Sequence, residues 1–139
     1  MKAKKKTYYK VVLSGKINSV NSFIKVNYEL NEETKPHIKG SKLFVFENYS
    51  DAVYYTKKIL DYCDIFACTI KGKSKVVDYF PDYSSVDNIL KFWEEYNIAK
   101  KRKINISKYL EKSKFAIKRA YWPEGTVWCN SVTLTQKIH

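Results

Sequence analysis

From Phe23 to Leu30 the chain alternates without a break, with Ile24, Val26, Tyr28 and Leu30 on one side and Lys25, Asn27 and Glu29 on the other. Successive side chains of an extended backbone point to opposite faces, so a period of two predicts a strand with one face in a core and one in water. Such a face needs partners, and the chain supplies them as short apolar runs. Tyr8 to Leu13 ends at a Ser14-Gly15 turn, Ile65 to Ile70 ends at Lys71-Gly72-Lys73, and Lys75 to Phe80 ends at Pro81; each reads as a strand. Leu43 to Phe46 is apolar throughout, which predicts a strand buried on both faces. The polar stretch 31–42, with Pro36 and Gly40, reads as a loop. Beyond the turn Trp122-Pro123-Glu124-Gly125, Thr126 to Cys129 and Ser131 to Thr135 close the chain as strands.

Two segments switch to helical spacing. Ser50 is placed to cap a helix and Asp51 suits its positive end, with Ala52, Tyr55, Ile59 and Tyr62 on one stripe, Val53 and Leu60 beside it, and an end near Cys63. Ser84 or Ser85 opens a second helix whose inner face is read as Val86, Ile89, Leu90, Trp93 and Tyr96. A third is expected from about Asn105, with Ile106, Tyr109 and Leu110 inward and an outer face that is almost wholly lysine. Strands first, helices inserted later and strands closing the chain predict an α+β fold: an antiparallel or mixed sheet of about five to seven strands with two or three helices packed on it. With 139 residues, 45% hydrophobic, the chain suits one domain, expected over 8–139 after a basic tail at 1–7.

Composition also excludes. No apolar run is long enough to span a membrane, and the basic start lacks the apolar stretch of a secretory leader, so a cytoplasmic chain is expected. Three cysteines, Cys63, Cys68 and Cys129, share no metal-binding spacing and are read as buried free thiols. Glycines at 15, 40, 72 and 125 form neither a dinucleotide-binding nor a Walker pattern. The histidines are His37 in the polar loop and His139 at the end, while Glu32-Glu33 and Glu94-Glu95 are neighbours whose side chains diverge. No catalytic residue, metal site or cofactor is expected.

The net charge of +12 is concentrated. Residues 1–10 hold five lysines and no acid, and residues 100–119 hold nine basic residues against Glu111, so the rest of the chain sums to −1. A near-neutral body with two dense basic segments attracts polyanions by long-range field and counterion release. Lys4, Lys5, Lys6, Lys100, Lys101, Arg102, Lys103, Lys114, Lys118 and Arg119 are therefore the candidate nucleic-acid contacts, with Tyr121 and Trp122 beside them as aromatics able to stack bases. Only Arg102 and Arg119 carry the planar fork that reads base edges, so sequence-tolerant binding is the expectation. The competing explanation is a solvated tail and a solvated helix face.

The stretch Leu43-Phe44-Val45-Phe46-Glu47-Asn48-Tyr49-Ser50-Asp51-Ala52 with Tyr55, then Cys68 to Gly72, then Pro123-Glu124-Gly125-Thr126-Val127, resembles uncharacterised small α+β domains of bacteriophages and large DNA viruses. That resemblance implies a viral or mobile-element origin, not an activity. The strand, strand, helix, strand order is loosely similar to ADP-ribosyltransferase-like folds, whose Arg, Ser-Thr-Ser and Glu-x-Glu elements are absent from this sequence. Three functions stand as expectations: a viral or phage-type accessory protein that binds nucleic acid or another polyanion; a virion or host-enzyme-inhibiting protein with a protein partner or a second copy; and a nucleotide-binding domain with a pocket lined by Tyr28, His37 and Tyr55.

Overall fold

The computed structural model describes residues 6–13, 18–19, 26–37, 40–58, 63–74, 78–82, 85–118 and 124–138. The fold is α+β. At its centre is β1 (Tyr8–Leu13), which pairs antiparallel along its length with β5 (Cys63–Lys71), Tyr8 lying opposite Cys68 and Leu13 opposite Cys63. On its other side Tyr9 faces Phe46 of β4 (Leu43–Phe46), and the end of β1 meets the two-residue β2 (Asn18–Ser19). β8 (Thr126–Cys129) extends the sheet beyond β4, while β9 (Ser131–Lys137) and β3 (Glu33–Thr34) extend it beyond β5, giving the order β3-β9-β5-β1-β4-β8. Every strand pair is antiparallel.

The sheet curls. Ser74, beyond the end of β5, donates its amide to the Trp128 carbonyl (3.0 Å), and Asn130, between β8 and β9, donates to the Lys71 carbonyl (2.8 Å). The continuation of β5 thus meets β8 from the far side of the sheet. Gly72 makes this crossing possible: its φ is +69°, and a Cβ there would overlap the Asn130 side chain.

Curling leaves an inner and an outer face. The inner face buries Tyr8, Val12, Leu43, Val45, Phe66, Cys68, Val127, Cys129, Val132 and Leu134, with Val26 and Tyr28 laid over them. Thus Val26 and Tyr28 turn inward as the alternation predicts. They do so without a regular strand, and Leu30, 47% exposed, makes only a parallel bridge to Leu134; residues 23–25 lie outside the described residues.

Two groups cover the outer face. Helix α1 (Tyr49–Lys58) lays Ala52, Val53 and Tyr55 on Val11, Phe46 and Ile65. It starts at Tyr49, so Ser50 stands within its first turn instead of capping it, and the Asn48 carbonyl accepts the Ala52 amide (3.3 Å). The second group comprises β6 (Tyr79–Pro81), α2 (Val86–Lys101), α3 (Ile106–Leu110) and β7 (Ala116–Lys118). Ser85 caps α2 by accepting from the Asn88 amide (3.1 Å), as its sequence position predicts, and Asn105 caps α3 through the Lys108 amide (3.0 Å). The buried stripe of α2 is Ile89, Phe92, Trp93, Tyr96 and Ala99; Val86 and Leu90, read from sequence as inward, are 39% and 44% exposed. The centre of this group is Trp128 of β8, fully buried, with ring centroids of Phe80, Trp93 and Tyr96 at 5.0, 5.3 and 5.6 Å. The third helix expected from about Asn105 ends at Leu110, and the chain beyond it forms β7, which pairs with β6.

Candidate nucleic-acid interface

Helix α2 ends in a closing turn in which the Lys103 amide donates to the Lys100 carbonyl (3.2 Å) and the Ile104 amide reaches back to the Ala99 carbonyl (3.1 Å). That turn holds Lys100, Lys101, Arg102 and Lys103 in water, all exposed. The chain then retraces α2: Tyr109 and Glu111 line a shallow groove with Glu95, and Phe115 lies under Lys91, its carbonyl accepting the Asp82 amide (2.9 Å) near the start of the helix. Lys108, Lys112, Lys114 and Lys118 are exposed along this return. A helix of 16 residues is about 24 Å long, so the cations are spread over a ridge of that order. None of them forms an ion pair among the described residues.

The ridge is not uniform. The groove has a volume of about 460 Å³ and is lined by Glu95, Lys108, Tyr109, Glu111, Lys112 and Ser113, so two carboxylates offset two lysines there. Charge is densest at the end of α2, where another element adds to it. The Asn97 amide nitrogen donates to the Gly40 carbonyl (2.9 Å), docking the loop before β4 on the helix and bringing Lys42 within electrostatic range of Lys100. Partial burial and then the Lys100 charge hold the Lys42 ammonium below the usual lysine range, while its nitrogen donates to the Asn130 side-chain oxygen. Sequence reasoning left Lys42 out, because nothing in a loop residue's neighbours reveals which helix end it will face.

The N-terminal block behaves differently. Lys4 and Lys5, like Arg119, Tyr121 and Trp122, lie outside the described residues. Lys6 is ion-paired with Glu47, which Lys73 also approaches at 3.8 Å, and both ammonium groups sit over the Tyr8 ring. This cluster follows the last residue of β4, whereas Lys42 precedes the first, so β4 separates Lys6 from the end of α2.

Lys10, counted with the basic block on sequence, is buried. Strand parity places it with Tyr8 and Val12 on the inner face, where its ammonium donates to the Phe44 carbonyl (2.7 Å) and lies 5.3 Å from the Tyr28 ring centroid. Burial pushes its pKa down to about 8. The same environment pushes the Cys68 and Cys129 thiols up to about 12 and about 11, chiefly by burial, and raises Tyr28, whose hydroxyl is buried without a hydrogen-bond partner among the described residues.

The nucleotide pocket expected from Tyr28, His37 and Tyr55 is not assembled. Tyr28 belongs to the inner-face core, Tyr55 packs on Phe46 at 5.3 Å on the outer face, and His37 is exposed in the loop. The sheet stands between the two tyrosines because α1 and the 26–30 segment cover opposite faces. Among the described residues no group of His, Cys, Asp and Glu is placed to hold a metal ion, and no helix is long and apolar enough to cross a membrane. Comparison with protein-family models, with curated proteins and with solved structures found no match.

Proposed function

We propose that the chain binds polyanions, nucleic acid first, at the end of α2, as a viral or phage-type accessory protein in keeping with the resemblance carried by residues 43–52, 55, 68–72 and 123–127. The observation that carries the reading is the docking of Gly40 on Asn97, which brings Lys42 within electrostatic range of Lys100 and the exposed Lys101, Arg102 and Lys103, with no ion pair to any of the four residues 100–103 among the described residues. Cations at a helix C-terminus have a structural explanation, since they suit the negative end of the macrodipole. Lys42 comes from another element: anchored by its hydrogen bond to the Asn130 side chain, it adds a cation to that helix end. An anion at this helix end offsets the mutual repulsion of these cations.

Neutralising about five phosphates releases the corresponding counterions, so affinity for single-stranded nucleic acid is expected to fall about a hundredfold between roughly 50 and 200 mM salt. A fluorescence-anisotropy titration against labelled single- and double-stranded DNA and RNA at those two salt concentrations measures this. No binding at the lower salt, or binding indifferent to salt, rejects the proposal. Four of the five cations are lysine, a point charge without a fork, so little discrimination between base sequences is expected.

A further inference from the structure

Lys103 has φ +56°, in the left-handed region. It occupies the position just past the end of α2 in a closing turn of paired reverse hydrogen bonds, Lys103 N–H to Lys100 O and Ile104 N–H to Ala99 O. Glycine is the usual occupant there, because an L side chain strains the backbone at positive φ. Among the described residues the other positive-φ positions are Asn31, a residue type that tolerates this region, and three glycines. Lys103 is thus the one described position where a long side chain is kept against the local backbone preference.

The helix itself does not require the charge. Lys100 and Lys101 already place two cations in its last turn, and Arg102 follows at the cap, so the C-terminal carbonyls have cationic neighbours without Lys103. Nor does packing require the side chain, because Lys103 is exposed and forms no ion pair or ring contact among the described residues. Strained residues that the fold tolerates without structural return cluster at ligand contacts.

We infer that Lys103 is a direct phosphate contact of the polyanion site, retained at the cost of backbone strain. This rests on the polyanion-binding reading above. The strain makes it separable, since a residue kept for binding and opposed by the fold should show stability and affinity moving in opposite directions on replacement.

The test uses the full chain and three variants, Lys103→Gly, Lys103→Arg and, as a control for net charge, Lys57→Gln on the exposed side of α1. Thermal unfolding and anisotropy against a labelled single-stranded DNA are measured for each. Lys103→Gly is expected to melt roughly 2 to 5 °C above the wild type. It is also expected to bind about five- to tenfold more weakly near 50 mM salt, with the magnitude of the slope of log affinity against log salt falling by about 0.7. Lys103→Arg should keep the wild-type affinity within about twofold and show no rise in melting temperature, and Lys57→Gln should change neither. A Lys103→Gly variant that is more stable yet binds like the wild type, or loses no more affinity than Lys57→Gln, overturns the inference. So does a glycine variant that is no more stable, because the strain is then absent. A wild type that binds no DNA overturns the polyanion reading itself, an outcome distinct from those of the variants.

Discussion

Lys10→Met is expected to raise the stability of the folded chain by about 2 kcal/mol at pH 7, measured by chemical denaturation. An ammonium pushed from 10.5 to about 8 is disfavoured in the core by about 3 kcal/mol. A methionine of similar length removes that term while giving up the single bond to the Phe44 carbonyl, worth about 1 kcal/mol. The substitution also changes the pH profile. Between pH 8 and 10.5 the unfolded chain holds this proton and the folded chain has lost it, so stability rises with pH in that window. Cys68 and Cys129 act oppositely above about pH 9, where their unfolded thiols ionise and their buried ones, held up to about 12 and about 11, do not. Wild-type stability is therefore expected to climb by about 0.5 kcal/mol from pH 7.5 to 9 and then decline. Lys10→Met should show the decline without the climb. A variant less stable than the wild type at pH 7, or a climb that survives the substitution, contradicts the buried, unpaired placement of Lys10.

Trp128→Ala is expected to cost about 4 kcal/mol, a large part of the stability of a domain of this size. Trp128 is where the sheet meets the helical layer: it is fully buried, with Phe44, Phe80, Phe92, Trp93 and Tyr96 around its ring at centroid distances of 5.0 to 6.4 Å. Removing it leaves α2 without its principal contact to β8, so amide-exchange protection over Val86–Lys101 should fall further than protection in β1 and β5. Polyanion affinity should fall with it, because the end of α2 then no longer docks on Gly40 and keeps Lys100 near Lys42. Trp128→Phe should recover most of the stability, since a ring is kept and an indole N–H that has no hydrogen-bond partner among the described residues is removed. Equal exchange protection of α2 in the wild type and Trp128→Ala contradicts this role.

Much of the architecture was legible because local signals agreed. The run Tyr8 to Leu13, the apolar quartet Leu43 to Phe46 and the closing strands formed where their composition placed them, and α2 and α3 begin at Ser85 and Asn105 near where the sequence reading opens them. Relations between distant segments were not legible. Period-two alternation says that Val26 and Tyr28 share a face, and it does not say that α1 covers the opposite one, which is why Tyr28 and Tyr55 were grouped in one pocket. Of the expected α2 stripe, Ile89, Trp93 and Tyr96 are buried, but Phe92, which packs on Trp128, and Ala99 are buried in place of Val86 and Leu90.

The basic residues show the same division. A count along the chain located the excess at 100–119 correctly as exposed charge over its described part, but assigned Lys10 to the surface. A signal for Lys10 existed: Tyr8 and Val12 bracket it on one parity of a strand that is apolar on both, so the lysine between them shares their buried face. Lys42 carried no comparable signal, since its proximity to Lys100 is created by the docking of Gly40 on Asn97.

Backbone-amide NMR of the full chain, titrated with a short single-stranded oligonucleotide at low salt, tests most directly whether the binding surface is the end of α2. Shifts centred on Lys42 and Lys100 to Ile104, weakening along Lys108 to Lys118 and absent from β1 and from Lys6, are the predicted result. Shifts confined to the N-terminal lysines, or spread evenly over every exposed lysine, would show instead that the positive field is diffuse and that the convergence of Lys42 with residues 100–103 makes no site.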